Sequence, residues 1–424
     1  MSCQYKTPIQ TYATKLASIE IWIVGLFVGA SLITQRLLTV TFVVIVMFWV
    51  ARWIAFGRLS LRTPVDIPIV LLLTMLPTTL CVTTLPLYTH PQIYRLLSGI
   101  GLFYAIANWR IGKIKMQKLV ALFAGIGLIL ALVGLFSVEW STDKIPFIPK
   151  SIYDFIPTLL SDTIHKNVLA GYLVILLPFG LTSLLFIWYR LSGIERVAYS
   201  ISSIIMVVVL ILSQSRGAWI AFAATLGFLA LLRWRFGWAI LVAVIITGFV
   251  AIFSLGSSFA LDAVTTNDTT DGIEIRTEIW SRAVYMIQDF PFTGIGMGSF
   301  GEIADRLYPF LLSSPIGSIP HAHNLFLQIA VDLGIPGFIA WLAILLLVII
   351  IAWKVYRQGQ IMSDNWKSGL GAGLLTSQVA LIMHGLIDAV TWGMVRPAPI
   401  VWAIWGLAIA GWNLYGANRV EELS

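Results

Sequence analysis

The feature that most limits the fold is a succession of long, unbroken apolar runs. They lie at 17–34, 37–56, 67–87, 92–109, 119–138, 167–188, 197–212, 217–234, 238–255, 335–356, 369–390 and 399–414. A helix needs roughly 20 mostly apolar residues to cross a bilayer core. Within hydrocarbon every backbone N–H and C=O must be satisfied by the chain itself, which leaves helices and closed barrels. Barrel strands would alternate in segments of about ten residues, whereas these runs are continuous. The expectation is an all-α polytopic membrane protein with about twelve transmembrane helices.

Composition supports this class. Only 11% of the 424 residues are charged and 58% are hydrophobic, against about 25% charged in a soluble domain. The net charge of +7 is not a nucleic-acid signal, because the cations lie between apolar runs, where they set topology. One set of loops holds Arg58, Arg62, Arg110, Lys113, Lys115, Lys118, Arg190, Arg196, Arg233, Arg235, Lys354, Arg357 and Lys367. The opposite short loops hold little beyond Arg36, Arg95, Arg216 and Arg396. The positive-inside bias puts the first set and both termini in the cytoplasm. No cleavable leader is expected, since the first apolar run continues as a span. Cys3 and Cys81 suggest no disulfide framework.

Two longer segments then fall outside. Residues 139–166 mix acids, prolines and aromatics and read as a short structured surface loop. Residues 256–324, before the tenth span, are acid-rich (Asp262, Asp268, Asp271, Glu274, Glu278, Asp289, Glu302, Asp305) and long enough for a small subdomain. An amphipathic helix is expected near 275–288, followed by a turn through Pro291, Gly294, Gly296 and Gly298.

Polar side chains concentrate at a few places. His321, His323 and Asn324 stand just before an apolar segment that ends at Gly334 and Gly337. If 324–333 is helical, Asn324, Gln328 and Asp332 form one polar stripe, which should face a cavity or another polar group rather than lipid. His323 is suited to proton transfer. Its plainer reading is a solvated residue beside an Asn324 helix cap, and His321 with His323 is also half of a metal site. In the Ser213–Trp219 hairpin, Arg216 opens a helix where short outer loops usually avoid arginine. It would meet an anion or snorkel to headgroup phosphates. Arg276 and Trp280 share a helix face, while Arg282 points elsewhere. Arg276 has Glu274 and Glu278 as alternative partners. His165 and Asn167 begin a span, and His384 and Asp388 form an i, i+4 pair in the eleventh run.

The pair His323-Asn324, nine residues, then Gly334-x-x-Gly337 resembles the signature of the O-antigen ligase and O-antigen polymerase family. Ser215-Arg216-Gly217, the Arg276-x-x-x-Trp280 helix and the glycine-rich turn before Phe300 are similar to further family elements and occur in family order. The His165-Lys-Asn167 element matches a family position loosely. The resemblance implies a membrane glycosyltransferase of the bacterial inner membrane, facing the periplasm. Its donor would be an undecaprenyl diphosphate-linked glycan, and its acceptor a hydroxyl of lipid A-core or another glycan. It implies neither metal nor nucleotide cofactor, and membrane lipids are the remaining partners.

In that reading His323 is the general base and Arg216 and Arg276 bind the diphosphate. His321, Asn324 and Gln328 orient the base or sugar hydroxyls. Polysaccharide polymerisation and transfer to protein share the donor and stay open. Two other classes compete. A transporter, for inorganic carbon for example, would place ionisable residues near the bilayer midplane on broken helices in paired halves. A scaffold would have no polar cavity beneath the long loop.

Overall fold

The computed structural model describes residues 7–109, 112–138, 140, 149–159, 164–239, 241–243, 246, 273–310 and 319–416. Every regular element among them is helical. The helices are α1 (Pro8–Ile33), α2 (Leu38–Phe56), α3 (Asp66–Val82), α4 (Pro86–Asn108), α5 (Lys113–Ser137), α6 (Lys150–Asp154), α7 (Lys166–Ile187), α8 (Gly193–Leu212) and α9 (Arg216–Arg233). They continue as α10 (Ile273–Asp289), α11 (Phe300–Leu307), α12 (Leu325–Ile361), α13 (Asn365–Gly385) and α14 (Pro399–Gly416). The expected all-α polytopic class is observed.

Local chemistry accounts for many boundaries. Thr7 and Gln10 form a capping box ahead of α1, and Ser192 and Glu195 do the same for α8. Asp364 accepts the Trp366 and Lys367 N–H groups at the start of α13. Seven of the described helices are long and apolar enough to cross a membrane, and α3 and α14 are shorter apolar helices. Both α4 and α13 fall outside these groups, because they carry buried polar residues such as Arg95, Gln378 and His384. Eleven of the twelve apolar runs therefore lie on described helices. The ninth lies largely outside the described residues, as do Asp262, Asp268 and Asp271.

The most deeply packed helices are α7 and α13, which run antiparallel. The Ser377 hydroxyl donates to the Ile175 carbonyl, and Trp405 Nε1 on α14 donates to Gln378 Oε1. Contacts between helix ends divide the bundle as the charge bias does. At one end Leu61 meets Asn108, Arg233 meets Leu185 and Arg190 meets Asp364. At the other, Thr83 meets Ser299, Arg396 meets Ile33 and Arg276 meets Ile387.

The second end carries a small core of its own. Helix α10 is amphipathic as expected: Ile279, Ala283 and Met286 pack with Phe300, Ala304 and Ala322. Between α10 and α11 the glycine turn seats against a break in α12. Gly334 holds φ 69° and ψ 178°, so α12 is two helical segments, 325–333 and 335–361. A β-carbon at Gly334 would lie 2.7 Å from the Phe292 carbonyl carbon, and one at Gly294 2.6 Å from that of Asp332. The Ile335 N–H, released by the break, donates to the Pro291 carbonyl at 2.7 Å. The break matters because it fixes the direction of the 325–333 segment, which carries the polar stripe.

Candidate active site

Three segments meet where α10 crosses the bundle end: α10 itself, the 319–324 loop before α12, and the 386–392 turn after α13. The loop is tied from below. The Gln328 Oε1 accepts the Ala322 N–H at 2.7 Å, and its Nε2 donates to Asp332 Oδ1 at 2.9 Å. Asp332 Oδ2 in turn accepts from Trp392 Nε1 at 2.8 Å. Asn324 caps α12 by accepting the Phe326 and Leu327 N–H groups, and its Nδ2 donates to the Leu386 carbonyl at 3.0 Å. The stripe read from the sequence thus faces protein rather than lipid. Because the hydrogen-bonding groups of Gln328 and Asn324 are engaged this way, both act on the histidines through the backbone.

On this support the two imidazoles stand with centroids 4.2 Å apart. The His323 N–H donates to His321 Nδ1 at 3.2 Å, which turns His321 Nε2 toward Asp388, 3.7 Å from Oδ1. His323 Nδ1 lies 3.9 Å from the same oxygen and is buried without a hydrogen-bond partner. His323 also holds φ 46°, in the left-handed region that a side chain other than glycine occupies only at a cost. Burial, then the positive charge of Arg276, pushes the His321 pKa down to about 4. Burial, then His321, Arg276 and His165, pushes His323 well below its ordinary value. Both rings are therefore neutral near pH 7, and their approaches to Asp388 are polar contacts rather than ion pairs.

Arg276 reaches in from α10. Its Nη1 donates to the Ile387 carbonyl at 2.6 Å, and Asp388 partly offsets the lowering of its pKa by burial. Glu278 pairs with Arg282 at 3.1 Å. Trp280 lies over the loop, donating from Nε1 to the His323 carbonyl at 3.4 Å. The backbone at the start of α9 abuts the same turn: a β-carbon on Gly217 would lie 3.1 Å from Ile387 Cγ2. Arg216, the neighbouring residue, is half-buried. Its hairpin is held from the surface loop, where Tyr153 of α6 donates to the Leu212 carbonyl and accepts from Gln214 Nε2.

The remaining candidates divide. His165 caps α7, its Nδ1 accepting the Asn167 N–H at 3.3 Å, so Asn167 takes part through its backbone. His384 is fully buried on α13, with both ring nitrogens lacking hydrogen-bond partners. His384 and Asp388 stay adjacent, the Asp388 N–H donating to the His384 carbonyl at 2.9 Å, but α13 ends at Gly385. Asp388 lies in the turn beyond and faces His321 and His323. Trp392, absent from the sequence reading, secures the stripe. Its partner Asp332 is 60 residues away, so no spacing signals the contact.

His321, His323 and Asp388 present ligand atoms within 4.8 Å of one another, a grouping able to hold a metal ion. Asp388 is the third ligand that residue spacing did not supply. The Arg276 guanidinium acts on all three groups, and its positive charge opposes a cation among them.

Residues 201–342 match the family model for O-antigen ligase. The matched stretch contains Arg216, Arg276, Trp280, both loop histidines, Asn324, Gln328 and the Gly334 break; Asp388 and Trp392 lie beyond it. No curated protein matches the chain. The match supports the O-antigen ligase family for this protein, and with it glycosyl transfer of the ligase or polymerase type.

Proposed function

We propose that the protein transfers a glycan from undecaprenyl diphosphate to an acceptor hydroxyl on the periplasmic face of the bacterial inner membrane, with inversion and without a metal. Lipid A-core is the acceptor that the ligase family name favours. The observation that carries this reading is the convergence of His323, Asp388 and the Arg276 cation at one bundle end.

The diphosphate is already a good leaving group, so the protein must hold its charge and activate a neutral hydroxyl. Arg276 and Arg216 neutralise the phosphate oxygens; a guanidinium matches them bidentately and keeps its charge even when burial lowers its pKa. His323 accepts the proton of the acceptor hydroxyl through Nε2, while Nδ1 faces Asp388. The acceptor oxygen then forms the new bond to the anomeric carbon. The bond from that carbon to the diphosphate oxygen breaks on the opposite face, and the diphosphate leaves with the electron pair. Asp388 stabilises the imidazolium that forms, in the manner of the carboxylate in a serine–histidine–aspartate triad. His321 holds the His323 backbone in its strained conformation.

The test is transfer of a radiolabelled undecaprenyl diphosphate-linked glycan by purified protein in EDTA, with lipid A-core, a second lipid-linked glycan and a peptide supplied separately. His323→Ala is expected to lower the rate by about 10²–10⁴-fold, and Arg276→Ala to lower it as well. Full transfer by a normally folded His323→Ala protein would sink the mechanism. Activity abolished by EDTA and restored by a divalent ion would replace it with a metal centre on His321, His323 and Asp388.

A further inference from the structure

Beside the histidines, a cavity of about 680 Å³ lies among α1, α5, α7 and the 394–397 segment. Its polar lining includes Arg95, Arg396 and His165. Ile129 and Val133 of α5 line its apolar part, and they are 60% and 39% exposed, so this part opens toward the bilayer. The cavity is thus charged at one end and greasy at the other.

Two further groups ask for a polar occupant. The Tyr172 hydroxyl and Ser137 Oγ both line the cavity and are buried without a hydrogen-bond partner. Buried polar groups are nearly always paired, so two orphans in one cavity need an explanation. Arg95 is buried on α4, its Nη1 donating to the Gly393 and Met394 carbonyls. The Arg396 guanidinium lies close enough for its charge to act on Arg95. Two guanidiniums on the lining of one cavity make a cationic wall suited to phosphate oxygens. His165 belongs to this cavity and also acts electrostatically on His323, which places the charged end beside the proposed base.

The geometry points to this cavity as a second lipid-phosphate site that holds the lipid-anchored acceptor, separate from the donor diphosphate at Arg216 and Arg276. The occupant is a phosphate-bearing lipid whose glycan head reaches His323. Its phosphate lies between Arg95 and Arg396, and its hydrocarbon runs along Ile129 and Val133. A phosphorylated glycolipid and a second polyprenyl diphosphate glycan share this chemistry. The acceptor role rests on the proposed transfer reaction; the binding of a lipid phosphate does not.

The experiment uses the full chain in neutral-lipid nanodiscs. Retention of radiolabelled lipid A bisphosphate and of undecaprenyl diphosphate is measured alongside acceptor kinetics. Two variants are compared: Arg396→Gln, which removes a charge, and Val133→Trp, which fills the apolar part from its exposed side. Both are expected to lose at least tenfold in affinity for one of the two lipids and to raise the acceptor KM in proportion, with the donor KM unchanged. The lipid that loses affinity names the acceptor type. Unchanged lipid retention in both variants overturns the site, and lost retention with an unchanged acceptor KM overturns its acceptor role. Wild-type protein that shows the retention pattern yet transfers no glycan keeps the site and removes the transfer reaction.

Discussion

The α1–α2 pair and the α7–α13 pair solve opposite problems with similar lengths of chain. In the first, about 28% and 33% of the central residues are buried within the protein. Trp22 and Leu26 are 62% and 66% exposed and face the bilayer. In α7 the buried share is 78%, and α13 is buried along most of its length. Yet α13 fails the apolarity that α1 passes. Continuous apolarity records contact with lipid, whereas a helix enclosed by other helices can carry Ser377 and Gln378 because neighbours meet their polar groups. The exception in the first pair follows the same rule: Glu20 is buried with Arg52 at 3.4 Å.

Matched substitutions give the sharpest way to break this contrast. Gly171→Leu drives a side chain into His384 and Val390, whose atoms lie 2.8 and 2.9 Å from the new β-carbon. We expect at least about 3 kcal/mol of destabilisation, or no folded protein. Gly25→Leu in α1, with nothing within 4 Å of the new β-carbon, should stay within about 0.5 kcal/mol. Thermal unfolding in one detergent compares the two, and equal losses would erase the distinction between the pairs.

A smaller effect follows from the tryptophans. Trp392→Phe strips Asp332 of a buried donor and should cost about 1–3 kcal/mol. It should also slow transfer, since the 325–333 segment supports the histidine loop. Trp22→Phe should do neither. If Trp392→Phe unfolds like wild type, the stripe contributes nothing to stability.

The smallest expected effect is a pH dependence. His321 is pushed down to about 4 in the folded protein, against about 6.5 in an unfolded chain. The unfolded chain binds more protons between those values, so stability is complete above about pH 6.5 and falls as pH drops toward 4. The loss at pH 5 is about 2 kcal/mol at most. His321→Gln should flatten the unfolding midpoint between pH 7 and pH 5. A slope that survives the substitution would assign the effect to other groups.

Sequence alone determined what local chemistry dictates. Unbroken apolar runs specify helices, because hydrocarbon leaves the backbone few other conformations. The stripe Asn324, Gln328 and Asp332 could be read from helical periodicity, and the amphipathic α10 from its spacing. The stripe segment, 324–333, and the span that follows it, 335–356, were already separate in that reading. The resemblance to the family signature singled out His323, Arg216 and Arg276 as candidates.

Only tertiary structure decided what these groups meet. Asn324 donates to Leu386, 62 residues away, and nothing in the spacing says so. Arg276 donates to the Ile387 carbonyl, 111 residues away, and interacts with Asp388, partners that no spacing along α10 offered. Asp388 meets His321 and His323 as well as the neighbouring His384, because it lies in the turn beyond α13. Periodicity fixes which side of a helix a residue occupies, but the partner on that side is chosen by packing between segments distant in sequence. The depressed His321 and His323 pKa values come from the same source: burial and a neighbouring cation exist only once the chain is folded.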